Sequence, residues 1–412
     1  MPVLFKNADI MVKKILIIHP EGNINNNPNL TGMVEILCEN GFIVHIYSPK
    51  SEGIYQATPC KGAQLILFDN PPNSLLHGYV LLAGAPPHLA SKIVNNIWNK
   101  LGPYDLIIGV DRGIIEASVL AKLFKRPYGL ISYEILFTDE TSTDFKLPEI
   151  EACQGLSFAV CQDKLRGKLL AMENRIPVDK ILHIPFAGRF LRKGIKTYYL
   201  HDQLKIEQNK KIALLLGSVS EMCMVSYLIE SAQYWPDDWA LVLHNRYGLD
   251  KCTLRYFRQF QDQPNLHFSL TPESDPNHLY KLLHSADLGI GLYRSYPNSI
   301  WLGKNISNLG MASGKISTYL QHGVPVLVNE IGELSDCVRK HELGLVIDDR
   351  HKIQLSVKDN DLNQWKSNCY HFFNRRLNLN QTIVPLLQHI QLIINTSIRQ
   401  YNSTSTLASH PS

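Results

Sequence analysis

Residues 308–328 read Asn308-Leu-Gly-Met-Ala-Ser-Gly-Lys-Ile-Ser-Thr-Tyr-Leu-Gln-His-Gly-Val-Pro-Val-Leu-Val328. The stretch predicts a helix followed by a buried strand. Ser313-Gly314 opens a helix over 315–322, Gly323 stops it, and Pro325 introduces the apolar run at 326–329. A helix N-terminus presents aligned N–H donors and the positive end of the peptide dipole. Lys315 is therefore oddly placed, because a cation is disfavoured at that end; an anion such as a diphosphate bound there would offset the repulsion. A lysine swung into solvent is the plainer alternative.

Outward from this unit the same pattern recurs. Apolar runs at 212–216 (IALLL), 241–244, 266–268, 288–292 and 345–347 read as buried strands, with helices fitting at 222–234 and 276–285. Further upstream, runs at 14–18 (KILII), 43–47, 65–68, 106–110 and 128–132 alternate with amphipathic segments at 30–40, 90–101 and 114–124. Such alternation predicts parallel strands joined by crossover helices. The polar, basic interval 189–210 breaks the rhythm, and 412 residues exceed what one core usually organises. The expectation is an α/β protein of two Rossmann-like domains, 13–198 and 199–360. C-terminal helices over 361–400 should pack back on the first domain, ahead of a disordered tail over 401–412.

Composition narrows the function classes. With 45% hydrophobic and 19% charged residues the chain is ordinary globular material. A formal charge of +4 suits anionic small ligands or a membrane surface and is too weak to argue for nucleic acid. Eight cysteines without a CxxC pair argue against a disulfide framework or a thiolate metal site, and sixteen histidines show no HxxxH or HExxH spacing. No apolar run approaches the roughly 20 residues of a membrane helix, and the first twelve residues do not read as a signal peptide. The expected location is cytoplasmic, with a peripheral contact at the inner face of a membrane as an addition. The basic run RFLRKGIK at 189–196 fits either a solvated linker or contact with anionic lipid.

In open α/β sheets, ligands bind at the carboxyl ends of strands. That rule selects the loop His19-Pro-Glu-Gly22 after the first strand and Gly217-Ser218 after IALLL. The latter exposes backbone N–H groups suited to a phosphate, or is a tight turn capped by Ser218 or Ser220. Arg246 and Arg294 follow strands of the second half and are candidate cations. In the first half, Asp111 ends LIIGV and Glu134 ends YGLISY, so either carboxylate is a candidate to orient or deprotonate a hydroxyl. Asp111 has a structural alternative as the N-cap of the helix over 114–124. Asp163 and Arg166 read as an i, i+3 pair on a helix.

SGKISTYLQHGVPVLV, followed by Gly344-Leu-Val-Ile347, resembles the donor-binding segment of GT-B glycosyltransferases, particularly the family-4-like (group 1) members. LYKLLHSADLGIGLYR at 279–294, YGLISYE at 128–134 and AVCQDKLR at 159–166 resemble further segments of that group, so the likeness spans nearly the whole chain. The resemblance implies two domains with parallel sheets facing a cleft. It also implies sugar transfer from a nucleoside-diphosphate sugar to an acceptor hydroxyl with retention of configuration, in glycan or polysaccharide biosynthesis. The acceptor is an unspecified glycan, lipid-linked molecule or protein.

The resemblance implies donor contacts from the segment with Ser313, Gly314, Lys315, Ser317 and Thr318. Gly217, Ser218 and Asn308 are further donor candidates, Arg246 and Arg294 are strand-end cations that fit either the donor or a surface pair, and the strand-end carboxylates Glu134 and Asp111 are the acceptor-side candidates. Thr318 departs from the pattern: many relatives place there a glutamate that accepts hydrogen bonds from the ribose. Asp359-Asn-Asp361 is formally a DxD, the metal-binding pattern of other glycosyltransferases, but it precedes a helix that Asp361 would cap. No essential metal and no cofactor are therefore expected. Two alternatives remain: a non-catalytic nucleotide-sugar-binding subunit of a synthesis complex, and a nucleotide-sugar epimerase on the same scaffold.

Overall fold

The computed structural model describes residues 13–20, 22, 24, 27–50, 60–68, 97–245, 255–257, 259–260, 262–269, 276–348 and 351–407. These divide into two compact units, 1–184 with 383–412, and 185–382.

The first unit holds a seven-stranded sheet in the order β3-β2-β1-β4-β5-β6-β7. Its strands are β1 Lys14–Ile18, β2 Ile43–Pro49, β3 Gln64–Phe68, β4 Leu106–Val110, β5 Tyr128–Ile131, β6 Phe158–Cys161 and β7 Ile181–His183. The second holds six strands in the order β10-β9-β8-β11-β12-β13. These are β8 Lys211–Gly217, β9 Trp239–Asn245, β10 Leu266–Ser269, β11 Leu288–Gly291, β12 Val326–Asn329 and β13 Gly344–Ile347. Every pairing is parallel. Central strands such as β4 and β9 are buried along their whole length, as both-faced coverage by helices requires.

The helices used below are α1 Pro28–Glu39, α2 Ile114–Phe124, α3 Thr143–Cys153, α4 Lys164–Asn174, α5 Val225–Ala232, α6 Pro276–Ser285, α7 Gly314–Gln321, α8 Gly332–Lys340, α9 Asp359–Phe372 and α10 Val384–Leu407. The helix expected over 222–234 is split: Glu221–Cys223 forms a 3-10 turn, Met224 takes a left-handed φ of 55°, and α5 starts only at Val225. Of the expected 90–101 segment, residues 90–96 lie outside the described residues. Strands β6 and β7 and helices α3 and α8 were not among the sequence expectations. β7 is three residues long, and α3 carries Pro148 in its interior and almost no amphipathic periodicity.

The division between units falls at Ile184/Pro185, ahead of the expected 198/199. The reason is that the segment after Ile184 is bonded into the second unit. Phe186 N donates to Met311 O (3.1 Å), Arg192 N to Gln321 O (2.9 Å) and Thr197 N to His284 O (3.0 Å). Helix α9 also stays with the second unit, where Cys369 is fully buried in its core. Only α10 returns to the first unit: His389 Nε2 lies 3.4 Å from Ser157 O, its ring meets Phe158 edge-on, and Asn395 Oδ1 accepts from Lys13 Nζ. The tail expected to be disordered from 401 is helical through Leu407. No helix among the described residues is long and apolar enough to cross a membrane.

Candidate functional site

In each sheet the chain order reverses beside its first strand: β1 lies against β2 and β4, and β8 against β9 and β11. A crevice at the carboxyl ends of such a pair is the general ligand position in open α/β sheets. In the second unit the residues there come from β8 (Gly217), the segment just after β11 (Tyr293, Arg294), β12 (Asn329) and the start of α7.

Helix α7 begins where the sequence places it. Ser313 is the N-cap and its hydroxyl accepts from Ile316 N (3.1 Å), while Gly323 ends the helix with a φ of +70°. The strand beneath is bare on one side. A Cβ on Gly291 would stand 2.1 Å from Ile316, and one on Gly289 would stand 2.5 Å from the Tyr319 ring. These glycines let α7 press onto β11 so that Tyr319 crosses it and reaches β8. There its hydroxyl donates to Leu214 O (2.7 Å) and accepts from Leu216 N (2.8 Å).

One turn earlier on the same face stands Lys315. Its Cε is 3.7 Å from where a Cβ on Gly217 would be, and Gly217 itself holds a φ of +115°. Lys315 Nζ donates to Cys223 Sγ (3.1 Å) and lies 5.2 Å from the centroid of the Tyr293 ring. Tyr293 is fixed on all sides. Its hydroxyl pairs with Ser313 Oγ (2.6 Å), its backbone N–H donates to Asn329 Oδ1 (3.0 Å), and its carbonyl accepts from Asn329 Nδ2 (2.9 Å). Burial raises the pKa of the Tyr293 hydroxyl, against an opposing pull from Lys315.

The other expected donor residues fall as follows. Ser218 and Ser220 bond to each other (3.2 Å) and cap nothing; Glu221 replaces them, accepting from Ser226 N (3.1 Å) at the start of α5. Arg294 lies beside that same carboxylate, with Nη1 at 3.9 Å from Glu221 Oε2, and its backbone N–H donates to Met222 O (2.8 Å). Both partners are about half exposed, so the pair itself adds little stability. Ser317 and Thr318 donate to Gly314 O (3.0 and 2.8 Å), and Asn308 donates to Lys304 O (2.9 Å) as the C-cap of a short helix. Arg246 lies outside the described residues. An open pocket of about 300 Å³ follows Tyr293 and Arg294 and is bounded by Ser307 and Asn329–Gly332 at the ends of β11 and β12. Sequence reading did not single out Tyr293, Cys223, Glu221 or Asn329, whose meeting depends on strand order.

The DxD is at the other end of the sheet. Asp359 Oδ1 pairs with Lys211 Nζ (3.0 Å) at the start of β8, about 20 Å along the strand from Gly217 at ~3.3 Å per residue. Lys358, not Asp361, is the N-cap residue of α9, and Asp361 belongs to its first turn. Among the described residues no three His, Cys, Asp or Glu side chains form a group that could hold a metal.

In the first unit, His19 follows β1, is buried, and has Nδ1 at 3.3 Å from Ser48 Oγ; burial lowers its pKa to about 4, so the ring is neutral. Asp111 follows β4 with a left-handed φ of 46° and does not cap α2. Its Oδ1 accepts from Tyr133 N (2.7 Å) and Glu134 N (3.0 Å) instead. Glu134 lies past the end of β5 and is exposed. Asp163 is the N-cap of α4, accepting from the backbone N–H of Arg166, whereas the buried Arg166 guanidinium reaches Tyr133 O (2.8 Å) and Gln162 Oε1 (2.8 Å).

Comparison with known proteins agrees with this architecture. Residues 253–378 match the family described as glucosyltransferase 3-like, C-terminal domain. No curated protein matches the sequence. Among solved structures, HepE from Anabaena, in complex with UDP and glucose, superposes with a TM-score of 0.65 at 15% identity, covering 95% of this chain and 100% of that one. WaaG, a glycosyltransferase involved in lipopolysaccharide biosynthesis, gives 0.61 at 14% identity, with 92% and 99% covered. An alpha,alpha-trehalose-phosphate synthase (UDP-forming) from Burkholderia vietnamiensis gives 0.58 at 11%, with 92% and 99% covered. The chain has the GT-B fold, and the stretch similar to the glucosyltransferase 3-like C-terminal domain lies in its second unit.

Proposed function

We propose that the chain is a glycosyltransferase that binds a nucleoside-diphosphate sugar on its second unit and moves the sugar to an acceptor hydroxyl. The carrying observation is Lys315, held on the first turn of α7 with its Cε beside Gly217 at the end of β8. A half-buried ammonium at a helix N-terminus is disfavoured by the dipole, and Cys223 Sγ, which accepts from it, is a weak acceptor. A diphosphate there gains from both the ammonium and the dipole. Gly217, lacking a side chain, allows close approach of a phosphate to the strand end.

When the bond from the sugar's anomeric carbon to the diphosphate oxygen breaks, negative charge grows on that oxygen. Lys315, Arg294 and the α7 N-terminus supply compensating positive charge, so no metal is required. The acceptor oxygen forms the new bond to the anomeric carbon, and its proton passes to the departing phosphate oxygen, which retains the configuration. Glu134 orients the acceptor hydroxyl from the first unit. The structures of HepE with UDP and of a UDP-forming synthase make UDP-hexose the first donor to test. Thr318 Oγ1 already donates its hydrogen to Gly314 O, and its lone pairs accept from the ribose in place of a carboxylate.

A membrane-presented glycan is the acceptor class favoured by the segment 189–196. There Phe190 and Ile195 are 51% and 83% exposed beside Lys193, the mixture of apolar and cationic groups that partitions to an anionic interface.

A thermal-shift and calorimetric screen of UDP, GDP, ADP, CDP and TDP, followed by a panel of octyl glycoside acceptors with the matching nucleotide sugar, tests the reading. Lys315→Ala should weaken nucleoside-diphosphate binding about tenfold with the melting temperature of the free protein unchanged. Equal affinity in the variant would remove Lys315 from the donor site. Nucleotide binding with neither UDP release nor glycoside product, or epimer release without acceptor, would replace transfer by the subunit or epimerase reading.

A further inference from the structure

We infer that Asn29, Asp111, Gln162 and Arg166 form a clamp that holds the turn 132–134 in a single conformation and thereby aims Glu134; they are positioning residues of the acceptor side. The inference rests on the acceptor role proposed above for Glu134.

The turn has its polar backbone groups taken up in sequence. Gln162 Nε2 donates to Ser132 O (2.6 Å), Asp111 Oδ1 accepts from Tyr133 N and Glu134 N, and Arg166 Nη2 donates to Tyr133 O. Glu134 O accepts from Ser132 Oγ (3.4 Å). The Tyr133 ring is anchored separately, its hydroxyl donating to Asn29 Oδ1 (3.0 Å). Asp111 and Arg166 thus grip opposite sides of one residue, the first through its N–H and the second through its C=O.

The four clamp residues come from four places in the chain. Asn29 sits in the first turn of α1, made rigid by the Asn27 cap and Pro28; Asp111 follows β4, Gln162 follows β6, and Arg166 lies in α4. All four are buried, Asn29 and Arg166 at no more than 1% exposure, whereas Glu134, the residue at the end of the turn, is exposed.

Stability alone does not account for this arrangement. Burying a guanidinium and a carboxylate at a strand end costs desolvation that apolar packing would avoid. Asp111 also holds a left-handed backbone, which disfavours residues other than glycine by about 1–3 kcal/mol and persists where surrounding contacts demand it. What the arrangement provides is direction. A carboxylate that must orient a hydroxyl loses efficiency steeply when its Cα drifts by about 1 Å. Glu134 is exposed, and the hydrogen bonds to its backbone and to that of Tyr133 limit such drift.

The test uses the full chain, UDP-glucose or the donor identified above, and the octyl glycoside that supports the highest rate. Tyr133→Phe deletes only the hydroxyl held by Asn29. Expected is a fall in kcat of about tenfold with nucleotide affinity within about twofold of wild type. Asn29→Ala should match it, and Asn29→Asp, which keeps an accepting oxygen, should recover most of the rate. Combined with Glu134→Gln, Tyr133→Phe should add little, because it acts through the group already removed.

Wild-type kcat in Tyr133→Phe, with Glu134→Gln impaired, overturns the clamp and leaves the role of Glu134 standing. The same loss in both backgrounds also overturns it, since the tyrosine then acts elsewhere. Wild-type rates in Glu134→Gln overturn the reading on which the clamp rests. Should Tyr133→Phe melt lower than wild type, amide exchange at Tyr133 and Glu134 decides. The clamp requires that Asp111→Asn speed exchange at these two amides selectively, and uniform acceleration through the sheet rejects it.

Discussion

The Tyr319 ring occupies the space that a side chain on Gly289 would need: a Cβ there falls 2.5 Å from the ring. Tyr319 crosses β11 through this gap and sets its hydroxyl between Leu214 O and Leu216 N of β8. The contact fixes the rotation of α7 about its axis. Because Lys315 lies four residues earlier on the same face, it also delivers the ammonium to Gly217, the next residue along β8 after Leu216. One helix face therefore reaches across β11 to three positions of β8: Leu214, Leu216 and Gly217.

Gly289→Ala should lower stability by about 1–3 kcal/mol, since backbone or ring must shift to admit the methyl group. Tyr319→Phe should lower it by a similar ~1–3 kcal/mol by leaving Leu214 O and Leu216 N buried without this partner. Urea unfolding measures both. A neutral Gly289→Ala would show that the ring is not seated across β11.

At Gly217 the φ of +115° is the obstacle, because an added Cβ would meet Lys315 Cε at an ordinary 3.7 Å. Gly217→Ala should therefore strain the backbone by about 1–3 kcal/mol and shift the strand end toward the nucleotide site. The expected outcome is weaker UDP binding by calorimetry together with a lower melting temperature. Unchanged binding would separate Gly217 from the donor site.

A buried ionic group lies behind the first-unit turn. Glu149 accepts from Arg112 Nη1 (3.3 Å), Lys146 Nζ (2.9 Å) and Asn174 Nδ2 (2.8 Å), and Lys146 also bonds Asn174 Oδ1. Lys146 is fully buried and Arg112 is 1% exposed. Glu149→Ala leaves both cations without their shared carboxylate and should destabilise by about 3–5 kcal/mol, readable as loss of soluble protein or a lower denaturation midpoint. Glu149→Gln, which keeps an acceptor, should lie between.

Glu116 gives a pH dependence. Burial raises its carboxyl from 4.5 to about 8, with Arg112 opposing, so it is neutral in the folded protein at pH 7. The unfolded chain releases that proton above pH 4.5. Unfolding therefore liberates a proton between 4.5 and about 8, and the contribution to stability, full below pH 4.5, is lost as pH rises to 8. Glu116→Gln should be more stable than wild type at pH 7.5 by roughly 1–3 kcal/mol and should flatten this part of the curve. Parallel wild-type and variant curves from pH 5 to 8 would contradict the assignment.

Much of the architecture was legible locally. The runs at 14–18 and 106–110 and the helix at 114–124 match β1, β4 and α2, because a strand buried on both faces must be apolar throughout. The Ser313 cap and the Gly323 stop were equally readable, since each acts within one turn of its own position. Four readings did not hold, one through a neighbour a few residues away and three through distant contacts. Ser218 and Ser220 yielded the capping of α5 to Glu221, and Asp111 turned from α2 to the amides of Tyr133 and Glu134. The expected boundary at 198 moved to 184 because the intervening segment bonds to Met311, Gln321 and His284. Of the terminal helices only α10 joins the first unit.

The amino-acid sequence by itself determined two parallel α/β units and a cationic helix start in the second. Those features depend on apolar runs, caps and stops that operate between neighbours a few residues apart. Only the tertiary structure decided which groups meet at that helix start and at the carboxyl end of β4. Lys315 and Cys223 are 92 residues apart in the chain, and Tyr133 and Asn29 are 104. Such meetings are set by strand order and by the bare faces of Gly289 and Gly291, which place side chains from separate βα units at one sheet edge. No local periodicity carries that information, because the partners share no turn of chain, only a position in the packed sheet.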